Sequence, residues 1–157
     1  MKARIHKIAI ILLLFFLALQ FYQPAQNKSK GGMSANDITR LYPAPPEVRQ
    51  ILETSCYDCH SNNTNYAWYD YIQPARLFVE DHIKNGKSEL NFNEWGSYSD
   101  RKQTRLLKSI QSQLLSGKMP LPSYTWLHKK ARLNETEIWS VISWLNKYPQ
   151  GLIEKNK

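Results

Sequence analysis

The sequence predicts an all-α fold, and three observations carry that prediction. Apolar residues recur at helical spacing in several stretches, as in Ile138, Val141, Ile142 and Leu145, which places them on one face of a helix. No run alternates apolar and polar residues over strand length. Helix punctuation is frequent: Pro46 and Pro74 sit where helices open, and Gly86 and Gly117 where they are expected to stop. The expected architecture is a domain of about four helices, preceded by an N-terminal membrane-anchor helix.

The N-terminus, residues 1–22, carries Lys2, Arg4 and Lys7 ahead of an uninterrupted apolar run from Ile8 to Leu19. A basic start before an apolar run is an export signal. The zone after it, Gln20 to Gln26, offers no pair of small residues at the spacing a cleavage site needs. The expectation is an uncleaved single-pass anchor, with the rest of the chain at the outer face of the bacterial cytoplasmic membrane. The alternative is a cleaved signal and a soluble periplasmic protein. Against the anchor, Ile8–Tyr22 as helix spans roughly 22 Å, short of a hydrocarbon core of ~30 Å.

Residues 23–44 are polar and rich in Gly, Asn and Ser, without a helical or strand period, and they predict a flexible tether. Residues 45–149 form the expected folded domain. Its first helix opens at Pro46, with Glu47 in the first turn and Val48, Ile51, Leu52 and Ser55 on one face. A second helix opens at Pro74, carries Leu77, Phe78 and Ile83, and is expected to end near Gly86. "SELNFNEWGSYS" predicts a structured loop pinned by Phe92 and Trp95. A third helix is expected from about Asp100 to Ser116, with Leu107, Ile110 and Leu114 on its stripe and Gly117 as its stop. Two prolines then give "KMPLPSY" an extended path. The last helix opens on a capping box, Asn134 with Glu137. Residues 150–157 form a C-terminal tail.

Net charge is +8, yet residues 1–30 carry five basic residues and no acid. The remaining 127 residues hold 16 basic and 13 acidic side chains, without a basic cluster interleaved with aromatics. A nucleic-acid partner is therefore not expected.

Both cysteines, Cys56 and Cys59, lie in "ETSCYDCHSN" with His60 directly after. A thioredoxin-like dithiol stands at the end of a strand and opens a helix, whereas these cysteines follow a helix. Zinc needs about four ligands, and only the distant His82 and His128 remain to complete a set. A Cys56–Cys59 disulfide closes too small a ring to staple much. The haem reading uses every residue of the motif. Two thiols three apart add across the two vinyl groups of one porphyrin, and His60, four residues after Cys56, presents its imidazole to iron. The expected cofactor is one covalent haem c.

An electron-carrying iron takes a second axial side chain, usually Met or His. Met119 is the only methionine of residues 45–149, on a proline-stiffened loop, and is the expected distal ligand, with His128 as its rival. Tyr124 and His128 are also candidate pocket residues, and His82 is expected to be structural. Asn27, Asn62 and Asn134 each begin an N-x-[ST] match to which no modification is assigned.

The stretches "CYDCHSNNTNYAWY", "HIKNGKSELNFNEW", "KMPLPSYTWLH" and "LNETEIWSVISWL" together resemble the bacterial haem-binding domain family of short, membrane-anchored c-type cytochromes. The resemblance covers about residues 45–148 and implies a cytochrome c-like fold for them. It implies Cys56 and Cys59 as thioether sites, His60 as proximal ligand and Met119 as distal ligand. Ala67 before Trp68 and Lys129–Lys130 after His128 depart from the family's pattern, where prolines are common. The expected function is single-electron transfer by a monohaem c-type cytochrome with a redox partner protein, rather than enzymatic catalysis. A haem-based sensor, or a peroxidase-like enzyme with an open distal site, is the alternative.

Overall fold

The computed structural model describes residues 1–29, 31 and 34–148. The predicted C-terminal tail, residues 150–157, and three tether residues (Lys30, Gly32 and Met33) lie outside the described residues. The described residues form eight α-helices: α1 (Lys2–Leu19), α2 (Ile38–Leu41), α3 (Pro46–Ser55), α4 (Tyr57–His60), α5 (Ala75–Glu89), α6 (Asp100–Leu115), α7 (Pro122–Leu127) and α8 (Glu135–Leu145). Three 3₁₀ turns, Trp68–Tyr71, Phe92–Ser97 and Lys129–Ala131, join them. Among the described residues the only β pairing is an isolated bridge between Lys28 and Asn63.

The all-α class therefore stands, but the expected four-helix count does not. The additional helices of the domain, α2, α4 and α7, have four, four and six residues. Segments that short leave no 3.6-residue period to find. The four long helices of the domain, α3, α5, α6 and α8, lie where periodicity and caps pointed.

The membrane anchor is corrected as well. α1 is a helix, but no helix among the described residues is long and apolar enough to cross a membrane. Three of the 18 residues of α1 are the basic Lys2, Arg4 and Lys7. The uncharged remainder, Ile8–Leu19, rises only about 18 Å against a hydrocarbon core of ~30 Å. The family as first described, its membrane-bound locus and its membrane partner fall with that helix.

The stretch expected as a tether also differs from its prediction. Just before it, Gln20 and Gln73 bond reciprocally, Gln20 Nε2 to the Gln73 carbonyl at 3.4 Å and Gln73 N–H to Gln20 Oε1 at 3.0 Å. Arg76 donates to Gln23 Oε1 and to the Pro24 carbonyl. Asn27 Nδ2 donates to the Ser61 carbonyl and to Thr64 Oγ1, both at 2.9 Å. Farther on, Asp37 and Ile38 are fully buried. Polar composition here marks a strap whose side chains find partners on the domain, since buried polar groups are paired.

The core joins Ile38, Val48 and Leu52 to Phe92, Trp95, Leu106, Leu107, Leu114, Val141, Trp144 and Leu145. α8 packs on both α3 and α6. Its predicted capping box is present: Asn134 Oδ1 accepts from Glu137 N–H, and Glu137 Oε2 from Asn134 N–H, both at 2.9 Å. The consequence for function is placement. α3 ends at Ser55 with Cys56 as its cap, and α4 follows at once, so the cysteine cluster hangs from a helix anchored in the core, while α5 also packs on α4.

Candidate functional site

α4 is a single helical turn, and it does what the C-x-x-C-H spacing requires. The N–H of His60 bonds the carbonyl of Cys56 at 3.0 Å, so both thiols and the imidazole issue from one turn. His60 is half-buried, and its Nδ1–H is shared between the carbonyls of Gly86 and Leu90, each at 3.0 Å. Burial lowers the His60 pKa, partly offset by those two carbonyls. The side chain is a neutral imidazole with Nδ1 engaged and Nε2 free. A metal-ligating histidine is held this way, its other nitrogen tied to a carbonyl that fixes tautomer and ring orientation.

α5 approaches α4 closely, and Gly86 is the reason it can. A Cβ at Gly86 would lie 2.8 Å from the Cys59 carbonyl oxygen and 3.3 Å from the Cys59 Cβ. α5 does not stop near Gly86 as expected but runs to Glu89. The glycine is a contact residue, and the carbonyls that hold His60 come from the helix turn it lets in.

Two cavities flank Cys59. One, of about 260 Å³, is lined by Cys56, Cys59, His60 and Met119, with Ser55 and Pro120 beside them. The other, of about 340 Å³, is lined by Tyr69, Asp70, Phe78, Ile83, Leu127 and His128 among others. Asp58, Cys59, His82, Leu121 and Tyr124 line both, so the two adjoin. Met119 is delivered by a defined turn. α6 ends at Leu115 with Ser116 as its cap, Gly117 takes φ +66°, and the N–H groups of Lys118 and Met119 both bond the Gln113 carbonyl, at 3.1 and 3.3 Å. A left-handed residue after a helix favours glycine. The structure thus brings Cys56, Cys59, His60 and Met119 to the walls of one cavity.

His128 and Tyr124 stand at the adjoining cavity and are already engaged. His128 Nε2 is hydrogen-bonded to the Tyr69 hydroxyl, and its ring stacks on Tyr124 at 4.2 Å and 12°. Tyr124 donates to Asp58 Oδ2 at 2.6 Å, and burial with that carboxylate raises its pKa. His82 is exposed, lines both cavities and bonds the Phe78 carbonyl through Nδ1 at 2.7 Å. It borders the site rather than filling the core. Asp58 was missed in the sequence. Its carboxylate also accepts from Asn65 N–H at 2.9 Å, and its backbone carbonyl from Thr64 Oγ1 at 2.6 Å, so it locks the turn to the following loop. The signal available was its place inside the C-x-x-C spacer.

The surroundings of the two thiols disfavour the thiolate that a redox dithiol needs. Burial pushes the Cys56 thiol up to about 12, with Cys59 adding to the rise, and the Cys59 thiol to about 11 by burial with Asp58 and Asp70 nearby. Reactive cysteines have their pKa lowered, toward a thiolate. Alkylation of the haem-free protein by iodoacetamide at pH 8 should therefore run at least about 100-fold slower than that of an unperturbed thiol. The rate should climb only as pH approaches 11. An ordinary thiol rate at pH 8, followed by mass spectrometry, would show the cysteines to be unburied.

These residues fit a haem. Haem iron takes one side chain from each face, and an imidazole with free Nε2 and a thioether line the same cavity. Among the described residues no group of three or more His, Cys, Asp or Glu gathers to hold a bare metal ion.

Comparison with curated proteins and with solved structures gives no match. Comparison with protein families matches residues 14–147 to the family described as "Haem-binding domain". That match begins well before residue 45, where the resemblance was expected to start, and so takes in the strap from Gln20 to Asn27 that is bonded to the pocket loop. A match over most of the chain, on a fold that gathers the motif at a cavity, makes this chain a member of the haem-binding domain family.

Proposed function

We propose that the protein is a monohaem c-type cytochrome, an electron carrier rather than an enzyme. Haem would be held by thioether bonds at Cys56 and Cys59 and by axial ligands His60 and Met119. The observation that carries this reading is the common cavity of those four residues, together with the carbonyl-tied Nδ1 of His60. The cofactor supplies one-electron exchange between ferric and ferrous iron. The chain's residues do the rest. The Gly86 and Leu90 carbonyls hold His60 in one tautomer, and the turn after Gly117 offers Met119. Largely apolar walls exclude water, which limits reorganisation around the iron.

An open-site sensor or peroxidase gains no support from His128. Its Nε2 is committed to Tyr69 and its ring to Tyr124, which leaves no free distal acid–base group there.

The test is spectroscopic. Protein made with the c-type maturation machinery should keep its haem after denaturation and give a low-spin reduced spectrum indifferent to carbon monoxide. Met119→Ala should open the iron, so that carbon monoxide binds readily. An unchanged spectrum in that variant defeats the distal assignment, and haem lost on denaturation defeats the covalent one.

A further inference from the structure

The segment from Gly117 to Leu133 joins α6 to α8 and carries Met119 and the whole of α7. It holds four basic residues, Lys118, Lys129, Lys130 and Arg132, and no acid. All four are exposed. The rest of the chain beyond residue 30 is close to neutral, with 12 basic and 13 acidic side chains. The positive charge of the domain is therefore collected on the segment that reaches the candidate iron site.

The same segment exposes large apolar side chains. Trp126 is 75% exposed and Leu127 54%. Trp68, 76% exposed, meets the ring of Tyr69 edge-on, and the Tyr69 hydroxyl bonds His128 at the end of α7. Leu127 lines the larger cavity and would be covered by a group filling it, but Trp68 and Trp126 line neither cavity. Exposed tryptophan is uncommon, and tryptophan surrounded by charge is typical of binding centres.

From this we infer that Trp126 and Trp68, flanked by Lys118, Lys129, Lys130 and Arg132, form the docking face for an acidic redox protein. This rests on the electron-carrier reading. The occupant is a protein whose contact face sets an apolar centre within a ring of carboxylates. Complementary charge steers the encounter and fixes orientation, while the indoles supply the dehydrated centre. A redox protein fits better than an anionic membrane because the segment that bears Trp126 and the basic residues also carries Met119 to its cavity, and a lipid surface exchanges no electron. In the exchange one electron leaves the partner's reduced centre, which is oxidised, and ferric iron becomes ferrous; no bond is made or broken.

The probe is a plant-type [2Fe–2S] ferredoxin, a small acidic redox protein, titrated calorimetrically in its oxidised form into the haem-loaded full chain. Binding is expected at low ionic strength and should weaken with added salt. Lys129→Glu/Lys130→Glu should weaken it at least about tenfold and flatten the salt dependence. Trp126→Ala should weaken it about tenfold with the salt slope kept. Arg101→Glu/Arg105→Glu, an equal charge change on exposed residues at the far end of α6, should stay within about twofold of the parent. No binding, equal loss in the α6 control, or no loss in the Lys and Trp variants would overturn the docking face. So would unchanged ferredoxin affinity in Lys129→Glu/Lys130→Glu with lost binding to phosphatidylserine vesicles, which would make the face a lipid contact. Loss of covalent haem with ferredoxin binding retained would defeat the carrier reading and leave the face standing.

Discussion

Gly86→Ala is expected to destabilise the protein and to loosen the haem site, although the same change in an open helix would stabilise. Gly86 lies inside α5, where alanine is favoured over glycine by about 1 kcal/mol. The added methyl, however, would stand 2.8 Å from the Cys59 carbonyl oxygen, with the Cys59 Cβ and carbonyl carbon at 3.3 and 3.4 Å. The nearest atoms are backbone and Cβ, which cannot swing aside, so α5 and α4 must part. Overpacking of this kind costs about 1–3 kcal/mol. Parting them also stretches the two 3.0 Å bonds from His60 Nδ1 to Gly86 and Leu90, a further loss of about 1 kcal/mol. The losses outweigh the propensity gain, giving a net destabilisation of about 1–3 kcal/mol. Urea unfolding measures it, and the low-spin spectrum should show a mixture of ligation states because His60 has lost its orientation. A variant as stable as its parent, with an unchanged spectrum, would mean that α5 does not press on Cys59.

Which parts of this site were legible beforehand follows from what sequence patterns encode. Cys56, Cys59 and His60 are close in sequence, so their spacing alone states that one turn carries them. Met119 was found by elimination, as the only methionine on a loop of the domain, and the turn at Gly117 that places it has a local signature. Gly86 has a local signature too, but an ambiguous one. Glycine near the end of a helical stretch predicts a stop, and only the approach of Cys59, 27 residues earlier, reveals a contact. Residues 23–44 misled for a related reason. Asn27 and Asp37 find partners 34 and 56 residues away, and polar pairing over that range leaves no period in the sequence. The short helices α2, α4 and α7 were invisible as helices because one turn has no repeat. α1 shows the limit of reading hydrophobicity alone: its apolar run is real, but its length decides what it can do.

The second large effect is expected at Asp37, in the stretch whose composition suggested a tether. Asp37 is fully buried and caps α2, accepting from the Thr39 N–H at 2.8 Å and from Thr39 Oγ1 at 2.6 Å. The Tyr57 hydroxyl donates to both carboxylate oxygens at 3.1 Å, and Asn93 Nδ2 to Oδ2 at 2.7 Å. Tyr57 is the residue after Cys56. Asn93 Oδ1 in turn accepts from the Asn62 N–H, two residues after His60, at 2.7 Å. One carboxylate thus ties the N-terminal strap to both ends of the cysteine–histidine turn. Burial and the Asp37 charge raise the Tyr57 pKa, so the phenol is a donor throughout the neutral range and the bond is not titrated away there from that side. Asp37→Ala removes the common acceptor and leaves Tyr57 and Asn93 with donors turned toward a void. Each buried donor left unmatched costs about 1–3 kcal/mol, and loss of the α2 cap adds about 1 kcal/mol. The expected destabilisation is about 3–7 kcal/mol, larger than that of Gly86→Ala and a large fraction of a domain's total stability. Asp37→Asn should lose less, because its one remaining oxygen still accepts from Thr39 or Tyr57. Chemical unfolding gives the energies, and the yield of haem that survives denaturation reports whether the turn still presents its thiols. If Asp37→Ala unfolds with the parent and takes up haem as fully, then α3 and α5 alone hold that turn, and residues 34–41 contribute nothing to the site.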